Sequence, residues 1–105
     1  MDPEIDLQAL QENAKHATNL LKVMSNEWRL LILCHLADRE QSVSDLESRL
    51  GLSQSALSQH LAVLRREKLV TTRRVAQSIY YSLDSDDIKA LMGTLYERFC
   101  AGPTS

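Results

Sequence analysis

The 105-residue chain has no uninterrupted apolar stretch approaching the ~20 residues that a membrane-spanning helix needs, so no membrane association is expected. Its start, Met1-Asp2-Pro3-Glu4, is acidic and lacks the basic flank of a signal or transit peptide, which points to a cytoplasmic protein. Cysteine is scarce. Cys34 and Cys100 lie too far apart for a Cys-x-x-Cys knuckle and are too few for a secreted disulfide scaffold, and both thiols are expected to be reduced at rest. There is no Gly-rich phosphate loop and no Ser/His/Asp arrangement that suggests catalysis. A chain this short also has no room for a multidomain enzyme, so an enzyme is not expected, nor any cofactor. No internal repeat, low-complexity tract or linker interrupts the sequence, which predicts one domain over residues 1–105. Although only 5% of the residues are aromatic, 44% are hydrophobic, enough for one modest core.

The net charge of −2 is unevenly spread. Between Ser53 and Leu83 five cations, Arg65, Arg66, Lys68, Arg73 and Arg74, face the single acid Glu67, so one basic region stands in an otherwise acidic chain. Helical periodicity dominates. Leu7, Leu10, Ala14, Ala17, Leu21 and Met24 alternate steps of three and four, as in a short coiled-coil seam that packs on another subunit. Glu27 to Asp38 is apolar on nearly every side, the mark of a central buried helix, and it carries Cys34. Ser44-Asp-Leu-Glu47 reads as a capping box opening a short helix that Gly51 ends. Ser53 caps a further helix to about Lys68, giving the sequence form of a helix-turn-helix. Leu69 to Val75 and Gln77 to Leu83, rich in Val, Thr, Ile and Tyr, predict a hairpin. A last helix follows the Asp84-Ser-Asp-Asp87 start, with Ile88, Leu91, Met92, Leu95 and Phe99 on one stripe and Gly102-Pro103 closing it. The predicted fold is mainly α with a β-hairpin wing, a winged helix-turn-helix.

If Leu57, Leu61 and Leu64 point inward, then Ser55, Gln59, Ala62 and Arg66 point outward, with Ser58 at the side. A small, polar, uncharged face bounded by Arg65 and Arg66 suits a helix in the DNA major groove. There Gln and Ser bond base edges or phosphates, and Arg neutralises backbone charge. Gln54 and Ser55, in the first turn, reach deepest. Two other classes compete: a thiol oxidoreductase, disfavoured by the missing motifs, and a protein-interaction module, disfavoured by the cationic cluster.

The run Leu52-Ser-Gln-Ser-Ala-Leu-Ser-Gln-His-Leu-Ala-Val-Leu-Arg-Arg-Glu-Lys-Leu-Val70, followed by Arg73-Arg74 and Ser78-Ile-Tyr-Tyr-Ser-Leu83, resembles the ArsR/SmtB family of bacterial winged helix-turn-helix regulators. Met24-Ser-Asn-Glu-Trp-Arg-Leu-Leu-Ile-Leu33 resembles the family's entry into its second helix. The resemblance implies a homodimer paired through the first and last helices, by Leu7, Leu10, Ala14 and Ala17 with Leu91, Leu95 and Phe99. It implies binding to an imperfect palindrome in double-stranded promoter DNA, with repression the family's default. Gln54, Ser55, Ser58 and Gln59 match its DNA-contacting positions, and Arg73, Arg74 and Gln77 its wing contacts. Ala76 stands where many members have Gly.

Metal sensing fits poorly. The thiolate site of some members needs a Cys-Val-Cys-like pair where this chain has Ser42-Val-Ser44, whose hydroxyls cannot replace soft thiolates. The last helix has no His, and His16, His35 and His60 lie on three different helices without ligand spacing. Asp84, Asp86, Asp87 and Glu97 read as helix-start charges and surface. Cys34 taken alone is an ordinary buried thiol, and Cys100 taken alone a terminal one. One cysteine on each of two helices that the family fold packs together resembles the BigR/SqrR/HlyU branch. That resemblance implies that the pair reacts with persulfides, polysulfides or other oxidants and thereby weakens operator binding; the alternative is a winged-helix regulator without thiol switching, an antisilencer or activator, or one responsive to a metal or other ligand.

Overall fold

A computed structural model describes residues 6–100, and of residue 100 the backbone only. Helix α1 (Leu7–Met24) starts at Asp6, whose carboxylate accepts hydrogen bonds from the backbone N–H groups of Gln8 and Ala9. Asn26 caps α2 (Glu27–Asp38) in the same way, through the N–H of Arg29 at 3.1 Å. The elbow between the two helices is closed by the Arg29 guanidinium, which donates to the Val23 carbonyl at 2.6 Å.

Helix α2 is packed on most sides but not all round as its sequence suggested, since Trp28 and Leu31 remain 40% and 36% exposed. It contacts α1, α3 (Val43–Leu50), α4 (Gln54–Arg66), strand β3 (Ser78–Leu83), α5 (Asp86–Leu95) and a terminal π-helical turn at Tyr96–Cys100. Ile32, Leu33, Cys34 and Leu36 are buried on it. Leu46, Leu57, Leu64, Leu69 and Met92 complete a core with no solvent exposure at those five side chains. Each buried leucine contributes roughly 1.5–3 kcal/mol as an upper bound.

Two local expectations need correction. The capping box lies at Ser42 and Asp45, not at Ser44 and Glu47. The Ser42 hydroxyl accepts from the Asp45 N–H at 3.1 Å, and the Asp45 carboxylate accepts from the Ser42 N–H at 3.2 Å. The helix begins two residues early because Gln41 and Ser42 form a short strand, β1 (Gln41–Ser42), paired antiparallel with β3 opposite Tyr81 and Tyr80. That extended pairing fixes the non-helical backbone a cap residue requires. The hairpin of β2 (Val70–Val75) and β3 is therefore part of a three-stranded sheet in the order β1-β3-β2. The last helix is α-helical only to Leu95 before its backbone widens into the π turn. The expected Gly102-Pro103 stop lies outside the described residues.

Gly51 takes φ +70° at the end of α3, as the expected stop signal requires. Two other positive-φ positions are filled by residues with a Cβ. Lys68 (φ +66°) follows α4 in a Schellman arrangement: the Leu69 N–H reaches the Leu64 carbonyl at 2.9 Å and the Lys68 N–H reaches the Arg65 carbonyl at 3.1 Å. Leu64 and Leu69, both fully buried, supply the accompanying apolar contact. Ala76 (φ +56°) is the first residue of the two-residue loop joining Val75 to its partner Ser78. A left-handed backbone costs an L-residue roughly 1–2 kcal/mol, partly offset in glycine by its greater entropy loss. Lys68→Gly and Ala76→Gly should each raise unfolding free energy, by up to about 1 kcal/mol. Urea midpoints measure this, and a midpoint that falls in either variant contradicts the strain assignment.

Candidate functional site

The second helix of the motif, α4, begins at Ser53, whose hydroxyl accepts from the Ala56 N–H at 3.1 Å. Leu57, Leu61 and Leu64 anchor its inner face in the core. That anchoring turns Gln54, Ser55, Ser58, Gln59, Ala62, Arg65 and Arg66 to solvent. The helix thus presents two amides, two hydroxyls and, at its far end, two guanidinium groups on one open face. Its C-terminal end is tied to α1: the carboxylate of Glu67 accepts from the Asn19 amide at 3.0 Å and lies 3.5 Å from Arg66. The hydrogen bond from Asn19, aided by Arg66, holds the Glu67 carboxyl below its ordinary pKa.

The wing stands beside this face. Arg73, Arg74, Ala76 and Gln77 are exposed, and strand alternation sends Arg73 and Arg74 to opposite sides of the hairpin. Arg73 does not project freely. Its Nε and Nη2 both donate to the Glu40 carboxylate at 2.7 Å, and its guanidinium sits 5.5 Å from the centroid of the Tyr80 ring. This two-pronged pair lowers the Glu40 pKa and raises that of Arg73. Arg74, Arg65 and Arg66 are the more available cations; Arg65 and Arg74 have no ion pair among the described residues.

Two clefts run between recognition helix and wing. One, of about 360 Å³, is bordered by Ser42, Ser44, Gln54, Ser58, Gln77 and Ser78. The other, of about 510 Å³, lies between Ser58, Ala62, Arg65 and Arg66 on the helix and Tyr81 on the sheet. Sequence reasoning missed Ser44, Ser78 and Tyr81 as lining residues. It also missed Glu40, because no local signal links a loop glutamate to an arginine 33 positions later.

Cys34 is 6% exposed in the core. It is disulfide-bonded, whereas the sequence suggested a resting thiol. The final turn, which ends at Cys100, packs directly on α2. His35 follows Cys34, and its carbonyl accepts from the buried Gln41 amide at 2.6 Å. His16 is exposed, while His35 and His60 are half-buried. No cluster of three or more His, Cys, Asp or Glu side chains suited to a metal ion occurs among the described residues. No helix among those residues is long and apolar enough to cross a membrane.

The resemblance to known proteins covers nearly the whole chain. The family model for bacterial regulatory proteins of the arsR family matches residues 26–72, from the cap of α2 into β2. The transcriptional activator HlyU of Vibrio cholerae is 53% identical over 96 residues, covering 91% of this chain and 89% of that protein. The crystal structure of the transcriptional repressor BigR from Xylella fastidiosa superimposes with a TM-score of 0.86 at 37% identity, over 95% of this chain and 99% of that one. A solution structure from Mycobacterium bovis, described as a homodimeric winged helix-turn-helix DNA-binding domain, matches with a TM-score of 0.73 at 26% identity, over 90% of this chain and 86% of that one. Fold, motif and relatives agree: the chain belongs to the ArsR family and is a winged helix-turn-helix transcriptional regulator, not an enzyme.

Proposed function

We propose that the protein is a homodimeric, sequence-specific regulator whose grip on operator DNA weakens when Cys34 and Cys100 react with a persulfide, polysulfide or other oxidant. The observation that carries this reading is Cys34, disulfide-bonded within α2, in a chain whose only other cysteine ends the turn packed on that helix. In the first step the Cys34 thiolate attacks the outer sulfur of a persulfide, forming Cys34–S–SH and releasing a thiolate. Cys100 then attacks the Cys34 sulfur, forming the disulfide and expelling hydrosulfide.

The dimer reading is supported by α1 itself. Residues 6–19 are exposed without a break, and Leu7, Leu10 and Leu21 are 71%, 54% and 56% exposed. Phe99 is 76% exposed at the other end of the chain. The radius of gyration, 15.7 Å, exceeds the about 13 Å of a compact chain of this length, as suits a subunit whose first helix extends toward a partner. Leu7, Leu10, Ala14 and Ala17 of each copy would pack with Leu91, Leu95 and Phe99.

On DNA, the two recognition helices would enter successive major grooves of an imperfect palindrome. Gln54, Ser55, Ser58 and Gln59 would meet base edges and nearby phosphates, while Arg65, Arg66, Arg73, Arg74 and Gln77 meet the backbone and minor groove. Half-sites lie about 34 Å apart, so a crosslink that resets α2 against the last helix by a few ångströms spoils simultaneous docking. A coupling of about 1–3 kcal/mol suffices for regulation.

Gln54→Ala should weaken binding to the specific site by about 1–3 kcal/mol while changing nonspecific binding little. Arg74→Ala should weaken both and flatten the salt dependence by about one charge. Competition titrations with operator and random DNA distinguish these, and equal losses in both for Gln54→Ala contradict base reading. Cys34→Ser and Cys100→Ser should keep reduced-state affinity but lose the response to polysulfide, and a full response in either variant contradicts the paired-thiol mechanism. Leu10→Glu should yield a monomer that binds operator poorly; a dimer on a sizing column contradicts the assigned interface.

A further inference from the structure

A recess of about 420 Å³ lies between α2, the end of α3 and the π-helical turn, and Cys34 forms part of its wall. Leu31, Tyr96 and Phe99 give it apolar sides, and His35, Asp38 and Arg49 give it polar ones. Neither the Asp38 carboxylate nor the Arg49 guanidinium is held in an ion pair among the described residues. Both charges act on the same imidazole in opposite senses. Burial and then Arg49 push the His35 pKa below its ordinary value, while Asp38 pulls it up. At neutral pH the recess therefore offers one fixed cation, one fixed anion and a neutral imidazole beside a disulfide sulfur.

We propose that this recess docks the reductant that resets the regulator, and that the reductant is a small zwitterionic thiol of the amino-acid type, its carboxylate met by Arg49 and its ammonium by Asp38. The proposal rests on the thiol-switch reading above. The recess has the volume of a small-molecule site, and Cys34 is 6% exposed, so the attacking sulfur must be carried in on something small. A protein reductant would have to bring its reactive sulfur past Tyr96 and Phe99 to a Cys34 side chain that is nearly buried.

The exchange balances. The bound thiolate attacks Sγ of Cys34, forming a mixed disulfide and releasing the other cysteine as a thiolate that takes a proton from water. A second small thiolate attacks the sulfur of the first, forming the small-molecule disulfide and freeing Cys34. Two small thiols are oxidised by two electrons in total, and the protein disulfide is reduced by the same two.

The test is the rate of reduction of the oxidised full-length protein by four thiols, followed by thiol titration and by the mass gain of two hydrogens. The thiols are cysteine, mercaptopropionate with only the carboxylate, cysteamine with only the ammonium, and mercaptoethanol with neither. Rates are compared at equal thiolate concentration, because thiolate fraction alone changes them. Each exposed ion pair should speed reduction up to about fivefold, with cysteine fastest and mercaptoethanol slowest. Arg49→Gln should remove only the carboxylate advantage and Asp38→Asn only the ammonium advantage, since both polar replacements keep the wall's shape. Equal rates for the four thiols, an order unchanged in both variants, or reduction only by a thioredoxin-type protein overturns the proposal. If polysulfide-treated wild type never loses two hydrogens, the thiol-switch reading itself fails, an outcome distinct from an unselective reduction.

Discussion

The burial of the Ile32–Leu33–Leu36 side of α2 is the constraint on which the rest of the molecule depends. Although Trp28 and Leu31 face solvent, the helix cannot move independently of α1, α3, α4, β3, α5 or the final turn, because each of them packs on it. Ile32 and Leu33 have no exposure at all, so any rearrangement of α2 would open voids on several sides at once. A sulfur atom placed on this helix is therefore well positioned to convert a covalent change into a change of geometry. Cys34 occupies that place, flanked by core on one side and by a narrow recess on the other.

The opposite condition holds at the two ends of the chain. Helix α1 leaves most of its apolar seam uncovered, and Phe99 protrudes from the final turn. These surfaces make physical sense when a second copy covers them. Between core and ends lies the recognition helix, joined to α1 through the Asn19–Glu67 hydrogen bond and to the sheet through the clefts beside Ser58 and Tyr81. The basic wing is braced from below, since Glu40 holds Arg73 in a fixed fork while Arg74 points to the other side. One cation is therefore tied within the protein, and Arg74 beside it has no ion pair among the described residues.

Much of this was legible in the sequence, for identifiable reasons. The bounds of α2 could be read from a largely apolar segment between Asn26 and Arg39, and the inward set Leu57, Leu61 and Leu64 from strict helical spacing. Gly51 and Ser53 marked the turn because their backbone and side-chain chemistry is specific to helix ends. The capping box was misplaced because Ser42 and Ser44 are equivalent by local pattern. Only the pairing of Gln41 and Ser42 with Tyr81 and Tyr80, a contact between segments far apart in the sequence, selects between them. The Arg73–Glu40 fork, the positive φ of Lys68 and the grouping of Asp38 and Arg49 around His35 are also tertiary facts with no local signature. The candidate DNA face was more legible than the thiol recess because it lies on one helix and one hairpin, whereas the recess is assembled from three elements.

In the proposed switch the oxidation state of Cys34 sets affinity for DNA. The most direct test is fluorescence anisotropy with an operator fragment taken from upstream of the protein's own gene, comparing fully reduced protein with protein treated with polysulfide. A loss of affinity of roughly fivefold to 150-fold is expected on treatment, restored by dithiothreitol. Unchanged affinity in protein whose mass shows the disulfide formed would contradict it, and would return Cys34 to a purely structural part of the α2 core.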